Sequence, residues 1–133
     1  MTRSAWVVAA AAIGLAACGS DSSSGNTGGS NKPSACTPPA TATVKFSTDV
    51  YPILTANCGT CHNDASTTLP KFGSASVQTS YQAVQGFVDT ANPAQSKLLV
   101  WGNGGNMHPG GDRLSDTDTQ KIQTWITECA QNN

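Results

Sequence analysis

Cys58-Gly59-Thr60-Cys61-His62 is the stretch on which the reading of this 133-residue chain turns. Two thiols three positions apart, followed at once by an imidazole, form the attachment signature of c-type haem. The spacing has a chemical basis: two thioether bonds must reach the two vinyl groups on one edge of a porphyrin. The residue after the second Cys then stands over the ring face, where its Nε2 can ligate the iron. Five residues can match by chance, so the flanks must support them.

The N-terminal flank concerns compartment. Arg3 precedes an apolar stretch from Ala5 to Ala17, then Leu15-Ala16-Ala17-Cys18. A positive start and a short apolar core predict a secretory signal over residues 1–17, too short to span a bilayer as a helix. The ending resembles a bacterial lipobox, in which Cys18 is lipidated and becomes the new N-terminus; the alternative is an ordinary signal peptide with a coincidental Cys. Haem is attached to c-type cytochromes after export, so signal and motif agree. An Asp directly after the lipidated Cys favours inner-membrane retention in enterobacterial lipoproteins. Gly19 stands there, which favours the outer membrane. The expected location is the periplasm or cell surface, with a lipid anchor as the membrane contact.

Residues 18–35 carry the lipidated Cys and a linker. From Gly19 to Ala35 ten of 17 residues are Gly or Ser, with no large apolar side chain. Such a segment buries too little to offset its ordering entropy, and reads as a flexible tether with a reach of roughly 20–25 Å. Residues 36–133 form one small domain whose core is marginal for its length. Only three Phe occur in the whole chain, and a covalently held porphyrin would supply the missing apolar bulk. Without residues 1–17 the chain keeps six basic and eight acidic residues, a net charge of −2. No basic patch exists, which argues against nucleic acid or an anionic membrane surface as partner.

Cysteine usage divides cleanly. With Cys18 assigned to lipid and Cys58 and Cys61 to haem, Cys36 and Cys129 remain, one at each edge of the domain. An oxidising compartment makes them natural disulfide partners, two unpaired thiols being the alternative. Closing that loop would stabilise the fold by at most ~4–5 kcal/mol in the chain-entropy model.

Helical signals dominate and strand signals are absent, so the predicted fold class is all-α. Ser47 or Thr48 can cap a helix through Asn57, with Asp49 in its first turn. Val50, Ile53, Leu54 and Asn57 fall at helical spacing and bring Cys58 to its C-terminal end. Pro52 near the start costs one hydrogen bond if the helix begins as early as Thr48. A second helix is predicted over 76–85 and a third from Pro93 to Trp101. The clearest starts at the Ser115 cap, with Asp116 and Asp118 in the first turn and Ile122, Trp125, Ile126 and Cys129 in one stripe. Between the last two lies Gly102-Asn103-Gly104-Gly105-Asn106-Met107-His108-Pro109-Gly110-Gly111, where five glycines in ten residues exclude a regular element.

This order of features resembles the small class I c-type cytochromes, particularly bacterial domains with a Pro-Ile-Leu start ahead of Cys-x-x-Cys-His. The resemblance covers about Phe46 to Ala130. It rests on Phe46 to Leu54, Cys58 to His62, Met107 in its loop, and Leu114-Ser115-Asp116 leading to Trp125-Ile126. It implies a helical shell wrapped around one haem, first and last helices crossing, with Val50, Ile53 and Leu54 against Ile122, Trp125 and Ile126. The chain departs from the pattern twice. His108 stands between Met107 and Pro109, where many relatives have Pro directly after Met. Cys129-Ala130 replaces the Gly-Ala that often ends the last helix.

His62 is the proximal ligand by the motif. Beyond the signal, Met107 is the sole methionine and His108 the sole other histidine. The distal ligand is then Met107, His108, a lysine amine or nothing. Met107 occupies the position that the resemblance implies, and a thioether suits haem iron and raises its potential. The Nδ1–H of His62 is expected to reach a backbone carbonyl near Leu69-Pro70, by analogy with the relatives. Trp101 is a candidate donor to a haem propionate, or simply core.

Iron closed on both sides leaves one-electron transfer as its chemistry. The expected function is a tethered monohaem electron carrier, not an enzyme, serving redox partner proteins as donor and acceptor; the tether raises encounter frequency with membrane-bound partners. Three rivals remain. One is a sensor or accessory module whose distal site is open or labile. Another is a thiol–disulfide oxidoreductase using Cys58 and Cys61. The last is a zinc site, disfavoured because the adjacent Cys61 and His62 cannot easily share one tetrahedral ion.

Overall fold

The computed structural model describes residues 36–133. The proposed signal, Cys18 and linker lie outside the described residues. Helices carry the fold, and no β-strand occurs among the described residues. Among the described residues a single antiparallel bridge joins Asn103 to Asp112. No helix among them is long and apolar enough to cross a membrane.

The first helical stretch begins as a wide π-turn, Phe46–Val50, and continues as α1, Tyr51–Asn57. Pro52 accounts for the wide start. It has no N–H for the carbonyl of Thr48, and its ring crowds that carbonyl in a regular α-helix. The expected Ser or Thr cap is replaced. Lys45 is the N-cap, and its N–H donates to Asp49 Oδ2 at 3.0 Å. Ser47 instead donates through its hydroxyl to the Asn133 carbonyl, which ties the two ends of the domain together.

Helix α2, Val77–Gln85, starts at Ser76, whose hydroxyl accepts the Thr79 N–H. The third predicted helix is broken. A 3-10 turn, Pro93–Gln95, and helix α3, Lys97–Gly102, are separated at Ser96, which has ψ 131°. The break has a tertiary cause. The buried Ser96 hydroxyl accepts the Asp89 N–H at 2.9 Å, and Leu98 N–H donates to the Phe87 carbonyl at 2.9 Å. These bonds pin Ser96 to the preceding loop in an extended conformation. Helix α4, Asp116–Thr127, begins at Ser115, whose hydroxyl accepts the Asp118 N–H at 3.1 Å.

One buried cluster holds Phe46, Val50, Ile53 and Leu54 together with Ile122, Trp125 and Ile126. Phe46 is central. Its ring lies 5.3 Å from Trp125 and 5.1 Å, edge on, from Tyr81. The contact with α4 is made mainly by the Phe46–Val50 turn rather than along α1.

α4 ends at Thr127, two residues before Cys129. The Ala130 N–H donates to the Trp125 carbonyl and the Cys129 N–H to that of Ile126, the paired bonds of a Schellman ending. Cys129 fills the left-handed position at φ 72°, where glycine is the usual residue. It is disulfide-bonded to Cys36, with Cα atoms 5.5 Å apart. Cys129 thus accepts an unfavourable backbone and in return closes a loop of 93 residues.

Glu128 closes the same end. Its carboxylate, held below its usual pKa first by the Thr43 hydroxyl, also takes the Thr43 and Val44 N–H groups. Asp49 is lowered chiefly by the Lys45 N–H, and Asp64 chiefly by the Ala75 N–H. Carboxylates lowered by folding stabilise above their unfolded pKa, and that gain is lost as pH falls through the folded value. Thermal melts across a pH series should therefore be level above about pH 5 and decline below about pH 4. In a Cys36→Ser background, Cys129→Gly should be more stable than Cys129→Ser by about 1 kcal/mol, read from urea unfolding.

Candidate functional site

Cys58 is the C-cap of α1, and its N–H donates to Leu54 O at 2.9 Å. The chain then turns sharply. Cys61 and His62 both donate their N–H groups to the Cys58 carbonyl, at 3.2 and 2.9 Å. This turn puts Cys58, Cys61 and His62 on the wall of one cavity of about 370 Å³. Neither thiol is disulfide-bonded; Cys58 is half-buried and Cys61 exposed.

Gly59 and Gly73 make the turn possible. A Cβ on Gly59 would stand 2.3 Å from Thr55 O, and one on Gly73 only 2.4 Å from Gly59 Cα. The segment after the motif can therefore lie flat against it. Gly73 N–H donates to the His62 carbonyl at 2.9 Å, and the Ser80 hydroxyl holds the Phe72 carbonyl.

His62 is 9% exposed, and its Nδ1 meets the Pro70 carbonyl at 2.8 Å. A carbonyl only accepts, so Nδ1 carries a proton, and in the neutral ring the lone pair is then on Nε2. That is the tautomer a metal-binding imidazole requires. Phe72 flanks the ring at 5.2 Å, and Phe87 meets Phe72 edge on at the same separation. Leu98, Trp101 and Pro109 add to the apolar wall. Leu69 also lines the cavity and is 74% exposed, an apolar side chain without cover.

The glycine-rich loop closes the other side. Arg113 and Leu114 N–H groups both donate to the Gly102 carbonyl, and the Asn103–Asp112 bridge narrows the loop base. The cavity takes His108 from this loop. Met107 is not among the lining residues: it is 95% exposed, with φ 50° after Asn106 at φ 54°. The geometry thus gathers Cys58, Cys61, His62 and His108, and leaves Met107 outside.

Burial pushes the Cys58 thiol up to about 11, with Arg113 acting weakly against it. A redox-exchange dithiol needs the opposite, a lowered thiol pKa at a helix start. Here the first Cys closes a helix end, whose dipole disfavours a thiolate. Among the described residues no three His, Cys, Asp or Glu side chains converge as a metal-binding group.

A haem fits what is present. Two thiols, one oriented imidazole and an aromatic wall share the cavity, and Lys97 and Arg113 line it with positive charge suited to propionates. Trp101 Nε1 is buried without a hydrogen-bond partner, and a carboxylate acceptor would satisfy it. Phe72, Phe87, Lys97 and Arg113 escape the sequence reading, because no spacing marks them. Arg113 is flagged only by being the one arginine after Arg3.

Gly73→Ala should lower stability by about 1–3 kcal/mol, because backbone rather than a flexible side chain blocks the new methyl; chemical denaturation measures it. Comparison of the chain with protein-family models, curated proteins and solved structures found no match.

Proposed function

We propose that this chain is an exported, lipid-anchored electron carrier holding one haem c, a cytochrome c-like domain on a tether. The observation that carries the reading is the convergence of Cys58, Cys61 and His62 on one apolar cavity, with His62 Nδ1 donating to Pro70 O. Cys58 and Cys61 would hold the group by adding their thiols across its two vinyl groups, a sulfur–carbon bond replacing each π bond and the thiol proton passing to the terminal carbon, so attachment would need no oxidant. The bound haem supplies a reversible ferric–ferrous change of one electron, taken from a donor redox protein and passed to an acceptor.

The protein's own residues do the rest. His62 offers the iron a nitrogen whose direction the Pro70 carbonyl fixes. Phe72, Phe87 and Trp101 exclude water from the ring face, which tunes the potential through local polarity. Lys97 and Arg113 balance the propionate charge. Cys61 is exposed, so the thioether edge lies where a partner protein can approach.

Leu15 to Cys18 support the anchor, which confines the domain near a membrane and raises its effective concentration for membrane-bound partners. Gly19 supports the outer membrane. Material matured in a host competent for cytochrome c assembly should give a pyridine haemochrome spectrum that survives acid–acetone extraction. Colourless protein, folded and carrying zinc or no metal, would end this reading. Cys61→Ala should keep a haem bound through one thioether, visible as a shifted haemochrome band.

A further inference from the structure

The position of His108 goes beyond the one-haem reading, on which the following rests. The imidazoles of His62 and His108 lie with ring centroids 6.2 Å apart and planes within 13° of parallel. The separation exceeds the ~3.5–4 Å of a face-to-face contact; it lies in the ~4.5–7 Å range of offset ring pairs and equally suits a shared metal. Two imidazoles bonded in line to one metal, with nitrogen–metal bonds of ~2.0 Å, have centroids roughly 6 Å apart. We propose that His108, not Met107, supplies the second axial ligand, so that two imidazoles close the iron.

Three further observations agree. His108 Nδ1 is buried without a hydrogen-bond partner, and among the described residues no bond occupies the ring. The ring also rests on Gly110, where a Cβ would stand 2.9 Å from its Cε1. The backbone fixes its approach, since Gly111 N–H donates to the His108 carbonyl at 2.8 Å across Pro109-Gly110, a turn with proline at its second position. Met107, by contrast, is 95% exposed. The His108 insertion between Met107 and Pro109 thereby acquires a role: it delivers a nitrogen where a thioether is otherwise expected. A second imidazole in place of a thioether sets a lower reduction potential.

The test uses haem-loaded protein. Wild type should show the low-temperature electron paramagnetic resonance of low-spin ferric iron with two nitrogens, no far-red iron–sulfur band, and no carbon monoxide binding when reduced. Met107→Leu should leave all three unchanged. His108→Ala should lose the two-nitrogen signal and bind carbon monoxide stoichiometrically, and free imidazole should restore the signal. Gly110→Ala, which displaces the ring without removing it, should weaken the same signal. A far-red band abolished by Met107→Leu and kept in His108→Ala would overturn the proposal in favour of the thioether. Carbon monoxide binding by reduced wild type would overturn it in favour of an open site. Protein without any haemochrome would instead defeat the haem reading, a failure seen before any ligand is asked about.

Discussion

The hydrogen bond from His62 Nδ1 to the Pro70 carbonyl is the contact on which the site's organisation depends. It selects one tautomer and fixes the ring's direction, which a motif alone cannot do. It is possible because the backbone returns closely past the motif. Gly73 lies against Gly59 with no room for a side chain between them. Asp64 grips Ala75 N–H at 2.9 Å and the Lys71 ammonium reaches the Ser66 carbonyl, so the returning segment is tied at several points. A buried imidazole with its outer nitrogen bonded is held more narrowly than its two side-chain torsions alone would allow.

The remainder of the domain serves as a frame for that turn. Phe46, Trp125 and Tyr81 meet as an aromatic cluster, and the Tyr81 hydroxyl donates to the Ala130 carbonyl. Trp125 Nε1 donates to Gln131 O, so both polar aromatics are satisfied as they are buried. The two ends are fastened by the Cys36–Cys129 disulfide, the Glu128 clamp on Thr43 and Val44, and Ser47 on Asn133. The cavity, with Phe72, Phe87 and Trp101 as a second aromatic group, draws on the C-terminal end of α1 and on α3. Phe72 and Leu98 belong to the same buried cluster as Phe46 and Trp125, so a porphyrin in that cavity would extend one continuous core.

The choice between dithiol chemistry and haem attachment turns on where the helix stands relative to the first Cys. A helix that begins at a Cys stabilises its thiolate; one that ends there does the reverse. Cys58 ends α1 and is partly buried, and both effects keep it a thiol. A neutral thiol half inside an apolar cavity suits addition to an alkene better than exchange with a disulfide.

The sequence alone determined the helix starts at Ser76 and Ser115, because a capping hydroxyl acts on N–H groups two or three residues away. It also marked Val50, Ile53 and Leu54, and Ile122, Trp125 and Ile126, as apolar residues at helical spacing, and the resemblance set the two groups against each other; Phe46 joins them only in the folded chain. Counting left Cys36 and Cys129 as candidate partners, and the folded chain joins them. Tertiary structure decided the rest, through contacts between residues far apart in the chain. Ser96 breaks the third helix because Asp89 claims its hydroxyl. The last helix ends early because the bridged Cys129 takes the left-handed position. Met107 and His108 are neighbours, and on paper the resemblance favours Met107. Consecutive positive φ values at Asn106 and Met107 send the sulfur outward and leave the imidazole on the cavity, and no spacing rule reports a backbone torsion.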